Sequence, residues 1–587
     1  MGERRRPDSD AERMDMLTYG DFRLYSEWVQ AHDTLGESDR QAIRDSVRRL
    51  PRSPLFSVVL MPAPDGAVSA AHASVASVRG QLYPHWELWV PRGAEPADAN
   101  ADKRLRIVPA DTTPPVDHAG LFNAALAEAD GEFILPLPPD ATMAEHALFE
   151  LAAAILADPD ADLLYTDEDR ADASGARRTP RFKTGWDPDL MLGRDAVGLL
   201  VAYRTALLER LGGMRSPSPG VGLAIYELSL RAGFAISPVH IHHVPAVLCH
   251  RLGSSDASPG WDAEGGREIV RRHLADHGAN ASVVAAPLAP AWNRIVYEVP
   301  DPAPLVSVLV PTRDRADLLQ RCAEGVLSRT DYPAIELLVM DNDSREPATI
   351  ELFRRLSEDP RVRVLPCPGA FNYSAINNAG AREARGEVLV LLNNDTDTIR
   401  SDWLREMVSH AARPDVGAVG AKLLYADERV QHGGMVLGPG VWPAHQLRFA
   451  DRLDMGPGGE LAVARTVSSV TGACLALRRS VFFEVGGLNE ELRVAFGDVD
   501  LCMRLGDHGY RIVWTPFAEL FHLESASRGQ DGESADKLAV AEQEATYFGR
   551  FWGSLLGSDP FHNKNVVYGW DASVLAGPPR CERPWRL

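Results

Sequence analysis

Residues 388–403 read VLVLLNNDTDTIRSDW, an apolar run that stops abruptly at Asn393, Asn394, Asp395 and Asp397. A short run of valine and leucine fits a strand buried on both faces of a parallel sheet. Ligands of such sheets bind beyond the carboxyl ends of the strands, so these amides and carboxylates stand where a ligand would sit. Taken alone, the stretch reads better as a turn with capping residues ahead of Ser401-Asp402-Trp403, since Asp, Asn and Thr are what turns use.

Its neighbours change that reading. Val306-Ser-Val-Leu-Val-Pro311 is followed by Thr312-Arg-Asp-Arg315, and the strand through Ile335–Val339 by Asp341-Asn-Asp-Ser344. Three polar clusters thus converge on one crevice. Carboxylates gathered there repel one another unless a cation sits among them, and hard oxygen ligands favour Mg²⁺ or Mn²⁺ with a substrate diphosphate completing the shell. Further on, Asp498 and Asp500 in Phe496-Gly-Asp-Val-Asp-Leu-Cys-Met-Arg504 precede an apolar helix. One of the two caps that helix, while the other points into the site as an acceptor for a hydroxyl proton. His522 ends the run Glu519-Leu-Phe-His522 and offers a nitrogen ligand to the same metal; a lone histidine at such a place is more often structural. No GxxxxGK[ST] loop, GxGxxG turn or HExxH helix occurs, so other phosphate and metal chemistries find no support.

The strand pattern occurs twice. Phe56-Ser-Val-Val-Leu-Met-Pro62 answers Val306–Pro311, Tyr83-Pro84 answers Tyr332-Pro333, and Asn123–Leu137 lies over Asn378–Leu392 with Gly131-Glu132 on Gly386-Glu387. Strand, helix, strand, helix, strand at these spacings is a βαβ pattern. We read an internal duplication of a unit of roughly 200 residues. Residues 1–50 form a helical lead-in with Leu17, Tyr19, Phe22, Tyr25 and Trp28 on its apolar positions, 256–302 a structured linker, and 536–587 a helical C-terminal extension.

The 587 residues leave room for two or three cores. A net charge of −21 disfavours capture of nucleic acid. Six cysteines without a CxxC pair suit reduced thiols. With no long apolar segment, the expectation is a soluble, unsecreted, cytoplasmic protein, peripheral at the inner membrane face if its acceptor is lipid-linked.

In this order, PTRDR, DNDS, NNDTD, TGACLALRRSVFFEVGG, GDVDLCMR and a late histidine resemble family-2 glycosyltransferases of the GT-A fold. FNYSAINNAG, VQHGGMVLG and TPFAELFHLESASRG resemble the bacterial branch that builds rhamnose-containing and other surface polysaccharides. The resemblance implies an α/β protein with two tandem GT-A domains, Rossmann-like with mostly parallel sheets, residues 51–255 degenerate and 303–535 catalytic. It implies inverting, metal-dependent transfer of a hexosyl or deoxyhexosyl unit from a nucleotide-sugar donor to a glycan or lipid-linked acceptor such as O-antigen or capsule. Asp498 would be the general base. Pro311, Thr312, Arg315, Asp341, Asp343, Asn378, Asn393, Asn394 and Asp395 would bind the nucleotide sugar, with Asp341 at the base. Asp395, Asp397 and His522 would hold Mg²⁺ or Mn²⁺, with Asn393 and Asp395 in the DxD register.

In the first copy Arg92 stands for Asp341, Pro138-Pro139-Asp140 for Asn393-Asn394-Asp395 and Ile225 for Asp498, while His250 matches His522. An isoleucine cannot accept a proton, so this copy is expected to be structural. Asp167-Glu-Asp169 is read as a family-like acidic turn or surface loop. His432, Trp442 and His445 lie in the segment 425–465 and are weak candidates for the acceptor side. The rival from another class is an inert carbohydrate-binding or scaffold protein. A nucleotidyltransferase would want a glycine-rich loop where Thr312–Arg315 has none.

Overall fold

The computed structural model describes residues 22–63, 68–96, 102–109, 117–172, 174–215, 220–253, 262–438, 443–523, 535–567 and 575–586. Trp442, Leu17 and Tyr19 lie outside them.

The duplication is visible strand for strand along the main path of each sheet. The first sheet runs Leu105–Ile107, Trp86–Val90, Phe56–Leu60, Phe133–Leu137, Val201–Arg204, Leu163–Ala171, Ile241–Leu252, Ala141–Met143. The second runs Val362–Pro366, Ile335–Asp341, Val306–Thr312, Val388–Leu392, Cys474–Arg478, Val416–Leu424, Arg511–His522, Thr396–Thr398. In each, the strands on the Phe56 or Val306 side are parallel, the Val201–Arg204 or Cys474–Arg478 strand runs against them, and a long strand, Ile241–Leu252 or Arg511–His522, carries a three-residue strand at the far edge. This is a mixed, mostly parallel, Rossmann-like architecture, and buried apolar strands such as Val388–Leu392 explain the uninterrupted sequence runs.

Polar details repeat as well. Ser57 donates to Glu87 at 2.6 Å and accepts from the Gly131 amide at 2.9 Å; Ser307 does the same with Glu336 at 2.5 Å and Gly386 at 2.8 Å. Tyr83 and Tyr332 each donate at 2.8 Å to a carbonyl just before their sheet, Pro54 and Pro304. A buried carboxylate on a strand is costly unless satisfied, so these networks brace the inner strands rather than bind ligand.

The Asp167-Glu-Asp169 segment is not a surface loop. It is the end of the strand Leu163–Ala171, buried by the protein's own termini. Asp169 accepts from Tyr25 at 2.7 Å and from Arg177 at 2.5 Å, and Asp167 accepts from Asn563 at 2.9 Å. The two halves are joined by buried polar contacts: Asp189 pairs with Arg413 at 2.6 Å and with Arg511, and Asp187 accepts from the Thr466 amide at 2.7 Å. Among the described residues no helix is long and apolar enough to cross a membrane.

Candidate active site

The strands Val306–Thr312, Ile335–Asp341 and Val388–Leu392 end together at a cleft of about 720 Å³. Its floor carries Pro311, Thr312, Arg315, Asn393, Asn394 and Asp395; Asp498 and His522 face it from the helix Gly497–Asp507 and the strand Arg511–His522. Residues from seven separated segments of sequence line it.

Each has a local reason for its place. Asn394 is buried and donates to the Thr312 hydroxyl at 2.9 Å, tying two strand ends together. Asp314 and Arg315 adopt left-handed backbone, φ 53° and 55°. Asp314 holds that loop by accepting the Arg345 and Glu346 amides at 2.6 and 2.8 Å. Non-glycine residues in this conformation are sparse and concentrate where a fold must aim side chains. Phe496, at φ 61°, makes the same kind of turn immediately before the helix that presents Asp498. The Asp498 carboxylate accepts the Gly472 amide at 2.7 Å and the Val499 amide at 2.9 Å. Burial pushes its pKa up, and these amides pull it back. A Cβ at Gly472 would stand 2.8 Å from the Tyr373 hydroxyl, which donates to the Gly472 carbonyl at 2.8 Å, so any larger residue would have to displace that ring.

Asp395 and His522 face each other, Oδ1 to Nε2, at 3.2 Å. Gln431 fixes the imidazole: its Oε1 accepts from His522 Nδ1 at 2.7 Å and its Nε2 donates to the His522 carbonyl at 3.4 Å. With the proton on Nδ1, Nε2 keeps its lone pair, and Asn393 Nδ2 donates to it at 3.2 Å. A buried carboxylate and an imidazole lone pair at this distance repel unless something positive lies between or beside them. That donor set fits a divalent ion that takes its remaining ligands from water and a diphosphate. Among the described residues no group of three or more His, Cys, Asp or Glu comes together, so the protein would supply only part of the shell.

Several expected residues are used elsewhere. Asp397 is drawn out of the cleft by an ion pair with Arg329. Asp341 and Asp343 do not line the cleft: their carboxylates accept the Ser344 and Gly369 amides, each at 2.9 Å, and Asn342 forms the wall instead. Asn378 spans to Leu488, donating to its carbonyl at 2.8 Å and accepting from its amide at 2.9 Å. In the first half Asn123 makes the same pair of bonds with Met214, both at 2.8 Å, although the counterparts of Asp341, Asp498 and His522 there are other residues. Asn378 is thus a brace inherited from the duplicated scaffold. His432 is fully buried, 2.8 Å from His445 between Nδ1 atoms, and supports the Thr471 amide from behind at 3.4 Å. Burial holds it well below the usual imidazole range, hence neutral, and neither histidine lines the cleft. The cleft residues not anticipated include Phe371, Tyr373, Gly472, Leu492 and Val494. The first three sit in the FNYS and TGAC motifs, which were the available signal.

In the first half Ile225, which the sequence aligns with Asp498, is fully buried. The strand after Asp140 pairs Ala141 with Arg251, and the strand after Asp395 pairs Thr396 with His522. Arg251, not His250, therefore stands in the place of His522. His250 turns aside to Asp169 at 2.6 Å.

A family model described as Glycosyl transferase family 2 matches residues 307–486, which stops short of Asp498 and His522. An uncharacterized protein of Sinorhizobium fredii is 37% identical over 593 residues, covering 97% of this chain and 64% of that protein. The O-antigen biosynthesis protein RfbC of Myxococcus xanthus is 36% identical over 92% of this chain and 42% of that protein. The chain thus spans less than two thirds of either relative. The N-acetylglucosaminyl-diphospho-decaprenol L-rhamnosyltransferase of Mycobacterium tuberculosis is 30% identical over 42% of this chain and 83% of that protein. Among solved structures, a Pyrobaculum calidifontis mannosyltransferase in complex with GDP-Man and Mn²⁺ is 21% identical over 43% of this chain and 67% of that one, with TM-score 0.31.

Proposed function

We propose, from the premise that this chain belongs to glycosyl transferase family 2, that it moves a sugar from a nucleotide-activated donor onto a growing bacterial surface glycan, with inversion and with Mg²⁺ or Mn²⁺. The reading is carried by one observation: Asp498 faces the same cleft as the Asp395–His522 pair.

Asp395 and His522 would hold the ion, with Gln431 on Nδ1 keeping the imidazole in the ligand tautomer; the Asn393 amide, which donates to the same Nε2 lone pair, would give way to the ion. A divalent ion bound there supplies the positive charge that a departing nucleoside diphosphate needs. Thr312, Arg315 and Asn394 bound the donor side. The acceptor hydroxyl attacks the anomeric carbon from the face opposite the diphosphate; the new C–O bond forms as the old one breaks, and the hydroxyl proton passes to Asp498. A half-buried aspartate whose pKa is raised by partial loss of solvent is a better base than a fully solvated one. The O-antigen and rhamnosyltransferase relatives support a glycan acceptor, and a hexosyl or deoxyhexosyl donor. A nucleotide sugar as donor implies work in the cytoplasm, at the inner membrane face where the acceptor is lipid-linked.

For the first half we propose a scaffold role, supported by Ile225 and Arg251 in the places of Asp498 and His522. Proton NMR of the transfer product tests the stereochemistry: an anomeric configuration opposite to the donor's is expected, and a retained one would refute the single-displacement reading.

A further inference from the structure

The C-terminal helix Ala535–Trp552 lies outside the family-model match, yet one face of it grips the segment that leads to Asp498. Glu544 is 3% exposed, and its carboxylate accepts three consecutive backbone amides: Arg493 at 2.9 Å, Val494 at 3.3 Å and Ala495 at 2.7 Å. One turn on, Phe548 stacks on Phe496 with ring centroids 5.1 Å apart. Tyr547 accepts from Asn489 at 3.3 Å, and Trp552 donates to Asp500 at 3.0 Å. Positions 544, 547 or 548, and 552 share one helix face, so a single surface holds residues 489–500 at four points.

The far side of the same segment is pinned from the FNYS motif. The Ser374 hydroxyl donates to the Leu492 carbonyl at 2.6 Å, and the Tyr373 amide donates to that of Arg493 at 2.7 Å. Leu492 and Val494 line the cleft, and left-handed Phe496 turns the chain into the helix carrying Asp498. Charge-assisted bonds from three successive amides fix backbone more firmly than neutral ones. An unpaired carboxylate this deeply buried would otherwise be costly.

We propose that Glu544 is a positioning residue: it sets the cleft wall Leu492–Val494 and, through Phe496, the aim of Asp498, so that the C-terminal helix is part of the catalytic unit. The inference rests on Asp498 serving the reaction. The base must stand within hydrogen-bond reach of the attacking hydroxyl, and a shift of about 1 Å costs on the order of a hundredfold in rate.

The test uses the full-length chain as wild type, Glu544→Ala, Glu544→Gln and Asp498→Asn. Hydrogen exchange needs no substrate: peptides covering 490–499 should exchange at least about tenfold faster in Glu544→Ala, with the Val388–Leu392 strand unchanged. Turnover of UDP-, GDP- and dTDP-sugars with Mn²⁺ should fall on the order of tenfold or more in Glu544→Ala and less in Glu544→Gln, which keeps one acceptor oxygen. Calorimetric binding of UDP, GDP or dTDP with Mn²⁺ should stay within about twofold, whereas a merely structural role would lower the binding-competent fraction in step with the rate. Unchanged exchange over 490–499, or a wild-type rate in Glu544→Ala beside an inactive Asp498→Asn, would overturn the inference alone. A wild-type rate in Asp498→Asn would remove the reading beneath it.

Discussion

Arg251 Nε faces Asp140 Oδ2 at 3.7 Å, in the place where the second half sets His522 against Asp395 at 3.2 Å. A guanidinium is a fixed cation and cannot ligate a metal, so the duplicated position has exchanged a removable charge for a permanent one. Electron paramagnetic resonance of added Mn²⁺ should therefore find one site per chain. Asp395→Asn or His522→Ala should abolish it, and Asp140→Asn should leave it. Two equivalent sites would contradict this account of the first half.

Gln431 touches His522 at both of its polar atoms. Gln431→Leu leaves Nδ1 without its acceptor and frees the ring to take the other tautomer. Mn²⁺ affinity is expected to fall about 10- to 100-fold. Unaltered affinity would mean that the tautomer is set by other groups.

Asn378 and Asn123 perform the same bridging task in the two halves. Replacing either by alanine strands a carbonyl and an amide, at a cost of about 1–3 kcal/mol. Urea unfolding should register similar losses for the two variants, with nucleotide binding intact in the folded protein. A selective loss of nucleotide affinity in Asn378→Ala would return that residue to the binding site.

His146 is buried beside Trp585, 5.4 Å between ring centroids, and both of its ring nitrogens lack hydrogen-bond partners among the described residues. Burial lowers its pKa to about 4. The unfolded chain, with its imidazole near 6.5, takes up the proton first, so this residue's contribution is present above pH 6.5 and lost as pH falls towards 4. At about 1.4 kcal/mol per unit the full loss is about 3 kcal/mol. His146→Phe keeps an aromatic ring against Trp585 and removes the titration. Its melting temperature relative to wild type should rise steadily between pH 6.5 and 4; a constant difference would sink the assignment.

The sequence made the cleft legible where apolar strands end in polar residues, because a buried parallel strand leaves only its carboxyl end for chemistry. Asn393–Asp395, Thr312, Arg315 and His522 meet for that reason, and Asp498 joins them from the start of the helix Gly497–Asp507. The same rule also picks out Asp341, Asp343 and Asp397, whose carboxylates accept an amide or pair with an arginine, tasks that a carboxylate at a strand end serves equally. Arg251 was hidden by register: bulges near Thr166 and Asp167 shift the pairing of the long strand, and a one-residue slip decides which side chain faces the site. Gln431 and Glu544 act across 91 and about 50 residues of sequence, distances at which spacing carries no signal.

The central claim is that Asp498 takes the acceptor proton in a metal-dependent transfer located in the second half. Its most direct test is turnover of a panel of nucleotide sugars, with and without Mn²⁺ or Mg²⁺, by wild type, Asp498→Asn and Asp140→Asn. The account predicts metal-dependent turnover by wild type and Asp140→Asn and a loss of at least about a hundredfold in Asp498→Asn alone. Turnover that survives Asp498→Asn, or that disappears with Asp140→Asn, would contradict it.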